Sequence, residues 1–305
     1  INTFKARYSS KYFFKGKGVS ALTLVSNHVP VVTKVIGSNE YEGHFAFDLL
    51  YNNTSNIQPD VLTTDSHGTN KVNFAILDFF GYTFAPRYAK VKQVFFDLFE
   101  VSEENGGSIQ LKKKIDHNLI AEEADNIQHI ICSLARKTST QSTIVRKLSN
   151  GKSRTLAALH EYDRLVKSLY ILDYVDSATL RHYVQQALNR GEAYHQLKRT
   201  ISSVNGNKFR GGNDYQVSQW NDCARLISNC IIYYNSALLS AFLQINEKKG
   251  RKDIVNYISQ LSPVAWQHIN LNGEYAFNNG KTEIDLVGLL SGIEAFEDEA
   301  LSNVA

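Results

Sequence analysis

The chain has 305 residues, 43% of them hydrophobic, enough to bury a substantial core; a wholly disordered chain is excluded, and the length suits one large domain with an insertion, or two domains. A net charge of +3 does not by itself demand a polyanionic partner, but its distribution points to one: residues 1–17 carry Lys5, Arg7, Lys11, Lys15 and Lys17 and no acid, while Glu294, Glu297, Asp298 and Glu299 make the far end acidic. Three cysteines without CxxC spacing fit a reducing compartment rather than a disulfide framework or a zinc site. No apolar run reaches membrane-spanning length and no signal peptide is visible, so no membrane association is expected. The chain begins at Ile1 rather than Met, as expected of a fragment of a longer protein, and it contains no methionine anywhere, which is improbable for this length.

Residues 18–27, GVSALTLVSN, are rich in β-formers and predict a strand; residues 30–36, PVVTKVI, predict its hairpin partner across an Asn27-His28 turn. Tyr41, Phe45 and Leu49 then recur at helical spacing after Ser38, with Glu40 and Glu42 favouring the helix start. Residues 52–59 read as a polar turn, and Asp60 to Thr64 as a short strand ending at Asp65. Val72, Ala75, Ile76 and Phe79 give a helical stripe closed by Gly81, and Tyr82 to Pro86 read as another strand. The order strand, strand, helix, strand, helix, strand predicts an α/β fold with a mixed sheet and parallel crossovers rather than a bundle or a sandwich. Beyond residue 90 the pattern turns helical. Ile120, Ala124, Ile127, Ile131 and Leu134 form one stripe, residues 155–174 another, and Leu180, Tyr183, Val184, Ala187 and Leu188 a third, stopped by Asn189-Arg190-Gly191. A new helix is expected from Glu192, with Tyr194, Leu197, Ile201 and Val204 on its apolar face. After a Gly-rich loop, Asn205 to Asp214, a long buried helix is predicted from Cys223, Leu226, Ile227, Cys230, Ile231, Tyr234 and Leu238; Cys132 is placed similarly on an apolar stripe.

Three constellations could carry chemistry. Asp65 ends a strand and opens the polar loop Ser66-His67-Gly68-Thr69, and in open α/β sheets ligands gather at the carboxyl ends of strands; the plainer reading is a turn aspartate or helix cap. Glu192 shares a helix face with His195, Gln196 and Arg199, at i+3, i+4 and i+7, which could bind a metal and reach phosphate; Lys198, at i+6, points elsewhere. The plainer reading there is a solvated face whose Glu is favoured at a helix start. The bases from Lys5 to Lys17 interleave with Tyr8, Tyr12, Phe13 and Phe14, a composition for phosphate contact and base stacking, or for an edge strand whose aromatics pack inward. Gly151-Lys152-Ser153 resembles the end of a phosphate-binding loop but has Arg146 where glycine is required, and His160-Glu161 lacks the second His of a zincin helix.

The stretch LTTDSHGTNKVNFAILDFFGYTFAPR, residues 62–87, resembles a signature of the Tn3 family of replicative (class II) transposases, in which a strand ends in a catalytic Asp within T-D-x-x-G, followed by a helix and F-x-P-R. Three further segments resemble the family in order: QALNRGEAYHQLKRTI (186–201), like its L-N-K-G-E-A segment; NCIIYYNSALL (229–239), like its long helix with an aromatic-Asn pair; and LSPVAWQHINLNGEYAF (261–277), like its S-P-x-x-W-x-H-I-N-x-x-G-x-Y motif. Arg190, where the family pattern has Lys, and Ala265, often Gly, depart from it.

The resemblance implies a DDE transposase on an RNase H-like core, with Asp65 as its second catalytic Asp and Glu192 as its Glu, both metal ligands for Mg²⁺ or Mn²⁺. The family's first Asp lies upstream of Ile1. It implies residues 1–90 as the first part of the core, 91–185 as a helical insertion, 186–245 as helices completing the core and 246–305 as a C-terminal helical region. The expected reaction is DNA 3′-end cleavage and strand transfer on double-stranded transposon ends and target DNA, by a homodimer in the bacterial cytoplasm. Lys5, Arg7, Lys11, Lys15, Lys17, His67, Arg87 and Arg199 are the expected DNA contacts. Two other readings compete: a non-catalytic DNA-binding or assembly module, and an RNase H-like nuclease that only hydrolyses.

Overall fold

The computed structural model describes residues 3–10, 16–90, 94–95, 98–100, 111, 113–149, 153–204, 206, 210–274, 285, 288 and 291–292. Lys11, Tyr12, Phe13, Phe14 and Lys15 lie outside the described residues. The chain divides into two compact units, one of Ile1–Ser26 with Val31–Gly191 and the other of Asn27–Pro30 with Glu192–Ala305.

β1 (Arg7–Tyr8), β2 (Lys17–Ser26) and β3 (Val29–Gly37) form a sheet in that order, all of it but the hairpin tip, Asn27–Pro30, counted in the first unit. β1 runs antiparallel to β2, with Arg7 opposite Gly18. The β2–β3 turn is the expected one: Asn27 and His28 take φ of 47° and 74°, the left-handed pair that a tight two-residue hairpin needs for its twist to match the strands. A short 3₁₀ turn, Glu42–Phe45, leads into α1 (Ala46–Tyr51). β4 (Val61–Leu62) and β5 (Thr83–Phe84) are parallel and joined through α2 (Asn73–Phe79). Backbone bonds continue this pair past the formal strands, from Thr83 N–H to Asp60 O at 2.9 Å and from Arg87 N–H to Thr64 O at 2.8 Å.

Helix α2 is buried from Asn73 to Leu77, with Ala75, Ile76 and Leu77 at 0% exposure, whereas Asp78 is exposed and Phe79, expected on its stripe, is 37% exposed. Gly81, at φ 75°, ends it: its N–H bonds Asp78 O, and the Tyr82 N–H reaches back to Leu77 O at 2.9 Å, the pairing of a Schellman motif. Among the described residues the strands form two small sheets, not the one mixed sheet expected. Two-residue strands such as β4 and β5 offer too few ladder bonds to recruit a third neighbour.

Among the described residues the first unit also holds α3 (His117–Glu122), α4 (Ala124–Ala135), α5 (Gln141–Ser149) and α6 (Arg154–Asp176), besides the start of the helix that follows. The single stripe expected around residues 120–134 is two helices, broken at Glu123, whose carboxylate accepts Thr155 Oγ1–H at 2.7 Å and Asn126 Nδ2–H at 2.8 Å. Ser153, at the end of the failed phosphate-loop motif, is the N-cap of α6, its Oγ accepting the Leu156 N–H at 3.1 Å.

Helix α7 (Ala178–Ser203) is continuous through Asn189-Arg190-Gly191, where the sequence predicts a stop, and Glu192 is therefore a mid-helix residue. Asn and Gly cost a helix only about 0.5–1 kcal/mol each, and burial of Val184 on one side and of Tyr194 and Leu197 on the other outweighs that cost.

In the second unit, Tyr194, Leu197 and Ile201 are buried as expected, whereas Val204 is 53% exposed. Helix α8 (Asp214–Lys248) is capped by Asn213, whose Oδ1 accepts the Gln216 N–H at 2.9 Å. Its buried face runs through Val217, Asn221, Ala224, Ser228, Ile231 and Asn235, so Cys223 and Cys230 are exposed, as is Cys132 in the first unit, contrary to the core positions expected for all three. The face rotated because its polar members all have partners. Asn221 Oδ1 accepts Lys198 Nζ, and Ser228 Oγ donates to Ala224 O at 2.8 Å. Asn235 Nδ2 donates to Pro263 O and Ala265 O, both at 2.7 Å, while its Oδ1 meets His268 Nε2 at 2.9 Å. A hydrogen-bonded Asn or Ser can be buried where an unpartnered one cannot. Through Asn235, the 229–239 motif is tied to Pro263, Ala265 and His268 of the segment that follows α9. Helix α8 is also long and apolar enough, by length and composition, to cross a membrane, a property the interrupting Asn and Ser residues hid from a search for apolar runs; a core helix passes the same test. Helix α9 (Lys252–Ile258) follows a turn at Gly250, φ 68°.

Candidate active site

Asp65 stands at the carboxyl end of β4, exposed, on the 3₁₀ turn Ser66–Gly68. The Gly68 N–H is shared between Asp65 O and Asp65 Oδ1, both at 3.1 Å, so the carboxylate does cap its own turn, as the plainer reading has it. Gly68 is required by packing: a Cβ there would sit 2.5 Å from Thr64 Cβ, and one on Gly43 would meet Gly68 O at 2.6 Å. Tyr41 hydroxyl bonds Thr69 O from the same side. Burial first, then the Asp65 and Glu42 carboxylates, push the Tyr41 pKa up, which places this phenol within electrostatic reach of Asp65.

Arg87, exposed, ends the neighbouring parallel strand with its N–H on Thr64 O, so strand pairing sets it beside the Asp65 turn. His67 lies in the turn itself; its side chain is outside the described residues. Of the N-terminal bases, Lys5, Arg7 and Lys17 are exposed. Arg7 Nη1 donates to Phe4 O at 2.5 Å and Ala6 O at 3.1 Å. Phe4 is 85% and Tyr8 56% exposed, so these two aromatics do not pack inward.

Glu192 opens the longer segment of the second unit and is exposed on α7, with His195 and Arg199 exposed beyond it. Desolvation, then the Lys198 and Arg199 charges, lower the His195 pKa, against a rise from Glu192. Lys198 does point elsewhere: it is 7% exposed, its ammonium is bonded to Asn221 of α8, and desolvation brings its pKa down to about 8. The same unit holds a cavity of about 420 Å³ lined by Ile201, Trp220, Ile227 and Leu271, with Arg210 at its wall.

Among the described residues no three His, Cys, Asp or Glu side chains lie close enough to hold a metal ion. Asp65 and Glu192 each present an exposed carboxylate, a hard oxygen donor of the kind that suits Mg²⁺.

Four buried polar residues of the first unit escaped the reading of the sequence: Asp48, Asn73 and Gln141, linked by hydrogen bonds to one another and to Gly68, and Asp163, bonded to the Ala75 N–H of α2. Asp163 left one trace, since it interrupts the stripe of Leu159, Tyr170 and Tyr174 on α6. The other three carry no periodic signal.

Comparison with known proteins adds the family. The model of the Tn3 transposase DDE domain matches residues 1–275. The transposase for transposon Tn1546 of Enterococcus faecium is 27% identical over 90% of this chain and 28% of its own length. The transposase for transposon gamma-delta of Escherichia coli K12 is 26% identical over 91% and 28%, and that for Tn501 of Pseudomonas aeruginosa 26% over 83% and 26%. The chain thus spans under a third of the length of these relatives. No solved structure matches. With nine-tenths of its residues inside the matched segment, both Asp65 and Glu192 among them, the chain belongs to the Tn3 transposase DDE domain family.

Proposed function

We propose that this chain is the catalytic region of a replicative transposase, built on an RNase H-like core, that cleaves DNA at transposon 3′ ends and joins them to target DNA. The observation that carries the reading is the exposed Asp65 carboxylate on a packed, glycine-dependent turn at the end of a parallel strand, inside the matched family segment. Asp65 and Glu192, with an acid upstream of Ile1, would hold Mg²⁺ or Mn²⁺, which supplies charge neutralisation at the scissile phosphate and activation of the attacking hydroxyl. Asp65 orients its carboxylate through the turn that it caps. Arg87, beside that turn, would neutralise a non-bridging phosphate oxygen. Lys5, Arg7, Lys11, Lys15, Lys17, His67 and Arg199 would line the DNA backbone, positioning it without reading sequence. On this reading residues 1–90 and 186–245 build the core, 91–185 are an insertion and 246–305 a C-terminal region. The protein acts as a dimer on paired ends, in the cytoplasm where that DNA lies.

The test uses the full-length protein. Asp65→Asn and Glu192→Gln should each lower 3′-end cleavage and strand transfer by about three orders of magnitude, the loss expected when a charge-stabilising site of ~4 kcal/mol is removed. End binding should remain. Strand transfer at wild-type rate in either variant refutes the assignment.

A further inference from the structure

Behind the Asp65 turn lies a chain of buried amides that apolar packing does not require. Asn73, the first residue of α2, and Gln141, the first residue of α5, are both 0% exposed. Asn73 Nδ2 donates to Gly68 O at 3.0 Å, and Asn73 Oδ1 accepts from Gln141 Nε2 at 2.5 Å. Gln141 Oε1 in turn accepts the Phe47 N–H at 3.0 Å, and the Gln141 N–H donates to Asp48 Oδ1 at 3.0 Å. Asn70, the residue after Thr69, is tied to the same wall, its Nδ2 donating to Gly43 O at 3.0 Å.

The relay has a fixed direction. One end is a backbone donor, Phe47 N–H, and the other a backbone acceptor, Gly68 O. Turning either amide over would set donor against donor or acceptor against acceptor in a dry site. Gly68 is the residue whose N–H binds Asp65 Oδ1, so holding its peptide from behind also holds the carboxylate in front.

We propose that Asn73 and Gln141 are positioning residues that hold the Asp65 turn in the pose that presents its carboxylate to a divalent cation before the cation arrives. The cation role rests on the proposed function above. Outer partners that orient a metal ligand typically cost 10–100-fold in metal affinity when lost.

The experiment takes full-length protein without metal. Gln141→Met keeps the side-chain length and removes the relay's donor and acceptor; Asn73→Asp keeps the volume and faces Gly68 O with an acceptor. Two readouts are taken: amide hydrogen exchange across residues 66–70, and Mn²⁺ affinity from the electron paramagnetic resonance of free Mn²⁺. Exchange in the turn should rise about tenfold or more and Mn²⁺ affinity fall about 10–100-fold, with exchange along α6 unchanged. Wild-type values for both in a folded Gln141→Met overturn the proposal. Should that variant unfold, seen as fast exchange throughout α6, Asn73→Asp decides on the same readouts. Unfolding of both assigns the relay to global stability and overturns it too. Asp65→Asn separates the two readings. If it loses Mn²⁺ affinity while Gln141→Met keeps it, only this inference falls. If it keeps Mn²⁺ affinity, the cation assignment of Asp65 falls.

Discussion

Replacing Asp163 with Asn removes one proton-binding site from the middle of the first unit at almost constant volume. Asp163 is 4% exposed on α6, and its Oδ1 accepts the Ala75 N–H at 3.2 Å, satisfying a backbone donor in the first turn of α2. Burial pushes its pKa up from 3.8 to about 7, opposed only in part by bonds from Ala75 and Phe74 and by the Lys167 and Arg164 charges. A carboxyl group whose folded pKa lies above its unfolded one favours the fold in its neutral form. Its stabilisation is complete below about pH 3.8 and is lost as pH rises to about 7. At roughly 1.4 kcal/mol per pH unit, that loss is about 4 kcal/mol as an upper figure. Asp163→Asn keeps the carbonyl acceptor for Ala75 and adds a buried NH₂, a pH-independent cost of about 1–3 kcal/mol. The stability of the variant relative to wild type should therefore climb with pH between 4 and 7 and level off above. Both tryptophans, Trp220 and Trp266, lie in the second unit, so the assay is urea unfolding followed by far-UV circular dichroism at pH 5, 6, 7 and 8. A difference that stays constant or falls with pH refutes the account of Asp163 as a desolvated cap.

Gly191→Ala should raise stability by about 0.5–1 kcal/mol, because a Cβ there meets nothing within 4 Å and the residue lies inside α7; a lower melting temperature would mean that the helix breaks at this point. Cys132, Cys223 and Cys230 should all react with a thiol reagent in native protein within minutes, counted by mass spectrometry; protection of Cys223 and Cys230 would restore the buried stripe first expected.

Local signals carried the parts of the molecule that local physics decides. The Asn27-His28 turn was legible because those residues sit next to two β-rich runs and the turn needs left-handed backbone. The β4–α2–β5 order and the place of Asp65 at a strand end were legible for the same reason, as was Gly81 as the stop of α2. The continuity of α7 was not, since a break costing about a kilocalorie per residue is decided by what packs on either side. Which face of α8 turns inward depends on Lys198 and His268 arriving as partners for Asn221 and Asn235, 23 and 33 positions away.

The sequence by itself determined the hairpin, the strand that ends at Asp65, and the four ordered motifs that name the family. Only the tertiary structure decided what stands behind Asp65. The relay partners are 68 and 94 positions apart, and the cap from Asp163 reaches across 88. Asn, Gln and Asp read as surface residues until a donor or acceptor far along the chain makes their burial affordable. Hydrophobic periodicity carries no record of such a partner.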